Sequence, residues 1–256
     1  MSYVVGMTDS RQVIVTGASR GIGREVAARF AALGDDVLAV ARSAEPLAEL
    51  AAAHPGRVRT TVCDLTDESA VVELLRPLAR VDVLVNNAGI GESAPLARTS
   101  LDSWHRHIAI NATAAFLCTR EVIDGMRERN EGRIITVAST AGRAGARYTA
   151  AYAASKHAAV GLMRATAAEL AGSRVTANAV CPTFVDTPMT RESVDRIAQR
   201  TGRDRSESLE VLTGMSPLGR LLTPAEVADA ILWLASAQAA AINGQTLVLD
   251  GGGIQT

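Results

Sequence analysis

Val13-Ile14-Val15-Thr16-Gly17-Ala18-Ser19-Arg20-Gly21-Ile22-Gly23 is the stretch whose reading decides the fold. A short β-branched run enters a glycine-rich turn, and Arg24 to Leu33 then reads as a helix. Strand, glycine turn and helix form the context that a dinucleotide-binding fingerprint requires. Glycines let the backbone turn tightly and approach a pyrophosphate, whose charge is favoured at a helix N-terminus. The spacing is Gly-x-x-x-Gly-x-Gly rather than the general Gly-x-Gly-x-x-Gly. On its own such a turn can be structural, so its meaning depends on what surrounds it.

Working outward, short apolar strands alternate with helical patterns, the signature of a parallel sheet covered on both faces. Strands are expected near Gln12–Thr16, Asp36–Ala41, Val58–Cys63, Val81–Asn86, Gly132–Ala138, Val175–Cys181 and Gln245–Leu249. One long helix is expected from Leu101 to Arg129, carrying Asn111, and another from Tyr148 to Leu170. Thr223-Pro224-Ala225-Glu226 is a helix start with a capping Thr, Pro at the first position and Glu three residues on. Residues 183–222 contain no strand pattern. Thr187-Pro188 opens a helix there, Gly202 interrupts it, and Asp204 to Leu212 reads as a second piece. A connection of this length suggests a lid. Its arginines (Arg191, Arg196, Arg200, Arg203, Arg205) are balanced by Glu192, Asp195, Asp204, Glu207 and Glu210, which also fits a solvated helix pair.

Length and composition narrow the class. A chain of 256 residues suits a single α/β domain, 1–256, with the first ten residues a loose tail. A net charge of -1 and 3% aromatic content argue against nucleic-acid binding. Cys63, Cys118 and Cys181 are widely separated, and His105 and His107 would point to different sides of a helix, so neither a disulfide framework nor a metal site is expected. The start of the chain lacks a signal-peptide pattern and no apolar run reaches membrane-span length, so a cytoplasmic protein is expected.

Chemistry enters with Tyr152-Ala-Ala-Ser-Lys156 and the upstream Ser139. Residues four apart share a helix face. A lysine ammonium there is expected to lower the phenol from its ordinary value near 10, and a tuned tyrosine beside a hydroxyl can exchange a proton with a carbonyl oxygen.

These stretches, with Asn86-Asn87-Ala88-Gly89, Asn111 and Asp250-Gly251-Gly252, resemble the short-chain dehydrogenase/reductase family from Val13 to Gly252, in the family's order. The resemblance implies a Rossmann-like doubly wound α/β domain with a seven-stranded parallel sheet and a helical substrate lid. It implies a catalytic tetrad of Asn111, Ser139, Tyr152 and Lys156. Ser139 would hydrogen-bond the carbonyl oxygen as hydride reaches the carbon, and Tyr152 would deliver the proton. Lys156 would hold the nicotinamide ribose, and Asn111 would order a relay water. The dinucleotide would lie on Gly17, Ser19, Gly21, Ile22 and Gly23. Asp64 and Leu65 would meet the adenine, and Asn87, Ala88 and Gly89 the adenosine side. Pro182 and Thr187 would flank the nicotinamide. Thr183 stands where the family usually has Gly, beside that site, and Thr183, Phe184 and Met189 are candidate substrate contacts. The family also implies a homotetramer built on the two long helices and the C-terminal helix and strand. Trp233 and Leu234 fit either an interface or the core.

No acid stands at Ala41, where NAD enzymes place one for the ribose hydroxyls. Arg42 follows, and Arg20 lies in the turn. Two guanidiniums can clasp a 2′-phosphate, so NADP(H) is expected, although Asp35 and Asp36 are near enough to argue for NAD. The motifs most resemble 3-oxoacyl thioester reductases and polyketide ketoreductases, implying reduction of a β-keto compound, with a CoA or carrier-protein thioester as one form. Arg127, Arg129, Arg143 and Arg147 are candidate docking groups or simply solvated arginines. Oxidation of a secondary alcohol or hydroxyacyl-CoA is the alternative reaction. A non-catalytic NADP-binding regulator is the alternative class.

Overall fold

A computed structural model describes residues 10–255. The expected N-terminal tail falls outside them except for Ser10, whose hydroxyl donates to Asp36 (2.5 Å). Seven strands form one parallel sheet in the order β3-β2-β1-β4-β5-β6-β7: β1 (Gln12–Thr16), β2 (Asp36–Ala41), β3 (Val58–Val62), β4 (Val83–Asn86), β5 (Gly132–Val137), β6 (Val175–Pro182) and β7 (Thr246–Leu249). Strand boundaries differ from the sequence expectation by at most two residues, as fraying strand ends commonly do.

Side-chain alternation divides the core into two layers. Val13 and Val15 face α1 (Gly21–Ala32), α2 (Ala44–Ala53) and α9 (Pro224–Leu234). Ile14, between them, faces the opposite layer, formed by α3 (Glu68–Leu75), α5 (Ala114–Arg129) and α6 (Ala150–Glu169). α4 (Leu101–Ile108) precedes α5, and the segment expected to form a lid consists of α7 (Pro188–Thr201) and α8 (Arg205–Gly214). The capping box expected at Thr223 and Glu226 is formed, and Asp204 and Glu207 make a second one at α8.

Three expectations need correction. The helix from Leu101 to Arg129 is not continuous: a π-helical turn, Ala109–Thr113, joins α4 to α5 with Asn111 inside it. Helix α6 does not begin at Tyr148, because that residue has φ 67, a left-handed conformation closed to a helix. Arg127 and Arg129 cannot serve a pocket mouth. Helix α5 runs about 24 Å away from Asn111, and Arg129 donates to Val81 O at the opposite end of the sheet.

The strand order reverses between β1 and β4, so the loops leaving these two strands open a crevice at the carboxyl edge of the sheet. The helix that follows β1 is anchored by Phe30, fully buried and covered by the Arg11 guanidinium 5.5 Å from the ring centroid. Phe30→Ala is expected to destabilise the domain by about 3–5 kcal/mol, read as a lowered urea midpoint with an unchanged m-value.

Candidate active site

The glycine turn packs against the exit of β4 at backbone distance. A Cβ on Gly23 would lie 2.4 Å from Gly17 O, and one on Gly17 would lie 2.8 Å from Ala88 Cα. Gly17 also has φ 67. Asn87 braces the turn, its Nδ2 donating to Thr16 O (2.8 Å) and Gly17 O (3.2 Å), while its backbone N donates to Thr16 Oγ1 (2.9 Å). The Asn87 amide is therefore part of the turn's scaffold.

Helix α1 opens with no side-chain cap and no acidic residue in its first turn. α3, α8 and α9 are capped by Asp67, Asp204 and Thr223, whereas α2, α6 and α7 share the lack of a side-chain cap, so it is the glycine turn that sets α1 apart. An uncapped N-terminus behind a glycine turn suits an anion such as a pyrophosphate. Gly89 adds a second close approach, since a Cβ there would meet Asn111 Oδ1 at 3.0 Å and Lys156 Nζ at 3.5 Å. Ser19, Gly21 and Ile22 belong to the turn and the first residues of α1, Ile22 packing against the core, and Thr187 lies beside Gly21 with Cγ2 3.1 Å from the place of an added Cβ. These cradles fit a dinucleotide.

The adenine end is less uniform. Asp64 Oδ1 accepts from Thr66 N (3.0 Å) and Thr66 Oγ1 (2.7 Å), and these bonds, with the nearby Arg42 charge, hold its carboxyl below the usual range. Leu65 gives its side chain to the core. Arg42 is exposed, while Arg20 reaches across to the lid and pairs with Glu192 (2.6 Å), a partner the sequence does not announce.

The reacting end gathers Ser139, Tyr152, Lys156 and Asn111. Ser139 caps the short 3-10 turn after β5, accepting from Ala141 N (3.1 Å), and its hydroxyl shares a hydrogen bond with Tyr152. Tyr152 is half-buried with a desolvated hydroxyl. Lys156 is buried one turn on, with Nζ donating to Val137 O (2.8 Å) and lying 5.9 Å from the Tyr152 ring centroid. Asn111 spends its carboxamide on positioning: Oδ1 accepts from Ile90 N (2.8 Å), and Nδ2 donates to Ile90 O (3.0 Å) and Ser155 Oγ (2.9 Å).

Burial dominates the electrostatics here. It pushes the Tyr152 phenol above its ordinary value, and the Ser139 hydrogen bond only partly offsets this. Burial also brings the Lys156 ammonium down to about 8. The expected lowering of the phenol by Lys156 is therefore not the net result, because both groups leave water together.

The substrate side is walled by Gly91 and Met189. A Cβ on Gly91 would lie 3.3 Å from Met189 Sδ and 3.6 Å from Tyr152 Cε2. Thr183 is half-buried, its N donating to Leu249 O (3.0 Å), and Phe184 O accepts from Leu222 N (2.9 Å) at the lid base. Pro182 ends β6. Sequence reading missed His107. It is fully buried on α4 with its ring edge-on to Tyr152, centroids 6.3 Å apart. No pattern in the sequence could place it there, since the π-turn shifts the register between it and Asn111.

Comparison with known proteins agrees with this geometry. Residues 11–198 match the short chain dehydrogenase family model. The 3-oxoacyl-acyl-carrier-protein reductase FabG of Thermotoga maritima is 36% identical over 251 residues, covering 95% of this chain and 98% of that protein. The 3beta-hydroxysteroid dehydrogenase of Mediterraneibacter gnavus is 37% identical, covering 98% and 97%. The crystal structure of a single-site variant of actinorhodin polyketide ketoreductase with NADPH superposes with TM-score 0.89 at 35% identity, covering 95% of this chain and 97% of that one. The chain belongs to the short-chain dehydrogenase family, nicotinamide-dependent oxidoreductases related to the 3-oxoacyl reductases.

The buried Lys156 makes stability depend on pH. Its folded pKa of about 8 lies below the ordinary 10.5, so between those values the folded state binds fewer protons than the unfolded chain. Stability therefore rises with pH through that window. Lys156→Met is expected to be more stable than wild type below pH 8, by up to about 3 kcal/mol. The gap should close as the pH approaches 10.5, measured by urea unfolding across the range.

Proposed function

We propose that this protein reduces a ketone to a secondary alcohol with NADP(H), the ketone being a 3-oxoacyl thioester or related β-keto compound. The observation that carries the reading is the buried Tyr152 phenol, hydrogen-bonded to Ser139 and backed by Lys156. A phenol raised by burial keeps its proton at neutral pH, which suits a general acid for reduction better than a base for oxidation. When bound, the dinucleotide supplies hydride at its nicotinamide. The chain's part is to hold the carbonyl oxygen between the Ser139 and Tyr152 hydroxyls, stabilise the developing charge there, and release the Tyr152 proton onto it. Lys156, charged below about pH 8, favours the phenolate that remains.

NADP(H) is favoured by the exposed Arg42 at the strand end and by the missing acid at Ala41, with Arg20 joining once it leaves its exposed pair with Glu192. The actinorhodin ketoreductase, similar throughout, was solved with NADPH. The β-keto substrate is favoured by the 3-oxoacyl reductase among the relatives. Of the candidate docking arginines near the crevice, Arg143 is bound to Thr246 Oγ1, which leaves Arg147, beside the Tyr148 ring, as the group for a thioester's phosphates. We extend the reading to a homotetramer, with exposed Trp104, Phe116 and Trp233 as interface side chains. Light scattering tests this.

Parallel titration with NADPH and NADH, followed by turnover of acetoacetyl-CoA, tests the whole proposal. NADPH should bind more tightly, and Arg42→Glu should weaken it about 10- to 100-fold while leaving NADH unchanged. A preference for NADH would move the assignment to alcohol oxidation. Tyr152→Phe should lower kcat by about 10²- to 10⁴-fold while dinucleotide still binds. Reductive kcat in the wild type should fall as pH rises through about 8, where Lys156 loses its proton.

A further inference from the structure

Residues 90–94, between β4 and α4, have no regular structure, yet every one of them has backbone tied to another element. Asn111 holds both polar groups of Ile90 (2.8 and 3.0 Å). Arg196 and Arg200 of the lid donate to Gly91 O (3.0 Å) and Ser93 O (2.8 Å). Tyr148 O accepts from Ala94 N (2.8 Å). The Glu92 N–H donates to His107 Nε2 (3.1 Å).

Of these partners, His107 packs its ring against that of Tyr152. Its other nitrogen, Nδ1, lies 2.7 Å from Ser103 O. A carbonyl can only accept and a backbone N–H can only donate. Nδ1 therefore carries the proton and Nε2 is bare, and both nitrogens of the buried imidazole are committed. The ring stands at 75° to that of Tyr152, edge to face. Gly91, one residue before the bonded Glu92, also lies against this ring, the place of an added Cβ being 3.6 Å from Tyr152 Cε2. The Tyr152 ring thus meets both an imidazole and a loop that the same imidazole ties down.

We propose that His107 is a positioning residue for the reaction: by accepting the Glu92 N–H and bracing the Tyr152 ring, it sets the phenol against Ser139 and the incoming carbonyl. The inference rests on Tyr152 as proton donor. It adds a buried residue that meets neither substrate nor dinucleotide.

The test compares two amides at position 107. His107→Gln places an acceptor where Nε2 lies, whereas His107→Asn reaches only to the position of Nδ1. Two readouts are taken on the full chain: kcat and KM for acetoacetyl-CoA with NADPH, and the Tyr152 phenol titration without added ligand. Ultraviolet difference absorbance follows the titration, and Tyr152→Phe isolates the signal from Tyr3 and Tyr148. His107→Asn should lower kcat about a hundredfold, the order expected for a displacement near 1 Å, with NADPH affinity unchanged and the phenol titrating closer to its ordinary value. His107→Gln should keep most of the activity and the wild-type titration. Equal behaviour of the two variants in both readouts overturns the proposal, as does a loss of NADPH affinity in step with kcat. If His107→Asn does not fold, His107→Gln decides alone: a displaced phenol titration rejects the role. If acetoacetyl-CoA is not turned over, or if Tyr152→Phe remains active, the reading of the reaction fails instead, and the phenol titration still decides the role of His107.

Discussion

The contact between the glycine turn and the exit of β4 is the constraint on which the rest of the molecule depends. Gly23 leaves no room for a side chain against Gly17 O, and Gly17 leaves none against Ala88. This approach constrains how α1 leaves the sheet, and α1 starts directly after the glycine turn with no side-chain cap on its first N–H groups. It also fixes the direction in which the chain leaves β4, which places Gly89 over Asn111 and Lys156. Cofactor end and reacting end are therefore set by one packing event. The Asn87 amide ties it together from the β4 side.

At the reacting end, stability and chemistry pull in opposite directions. A buried ammonium with one carbonyl partner is a cost to the fold, as its lowered pKa records. A solvated lysine would be cheaper, but its field at Tyr152 would be screened. The buried phenol carries a similar penalty against ionisation. The two penalties are coupled in sign: each group in its charged form relieves the other. A proton leaving Tyr152 is therefore easiest while Lys156 is still protonated, and burial makes that dependence stronger.

Much of this was legible in the sequence because it rests on local rules. The strand periodicity, the glycine turn, the Thr223 cap and the lid helices each follow from a few neighbouring residues. What stayed hidden depends on tertiary register. Leu234 and Trp233 are adjacent in sequence, yet the first is core and the second half-exposed. Arg127 and Arg129 look available until the direction of α5 carries them to the far end of the sheet. Asn111 is recognisable as a motif residue, but the π-turn that aims it is not, because Ala109 to Thr113 have no composition that distinguishes them from an ordinary helix. His107 lies on α4 just ahead of this turn, and its edge-on contact with Tyr152 is likewise a tertiary one.

The lid follows the same logic with weaker bonds. Helix α7 meets the glycine turn through Arg20 and Glu192, both about half-exposed, and meets the 90–94 loop through Arg196 and Arg200. The exposed Arg20–Glu192 pair contributes little, roughly 0–1 kcal/mol, whereas Arg196 reaches the Gly91 carbonyl from a partly buried position. Val194 is the one fully buried residue of α7, and the half-buried Met189 lies against Gly91. The loop beneath is also pinned through Asn111 and His107. The 90–94 loop is therefore tied from two sides, to Asn111 and His107 on one and to the α7 arginines on the other.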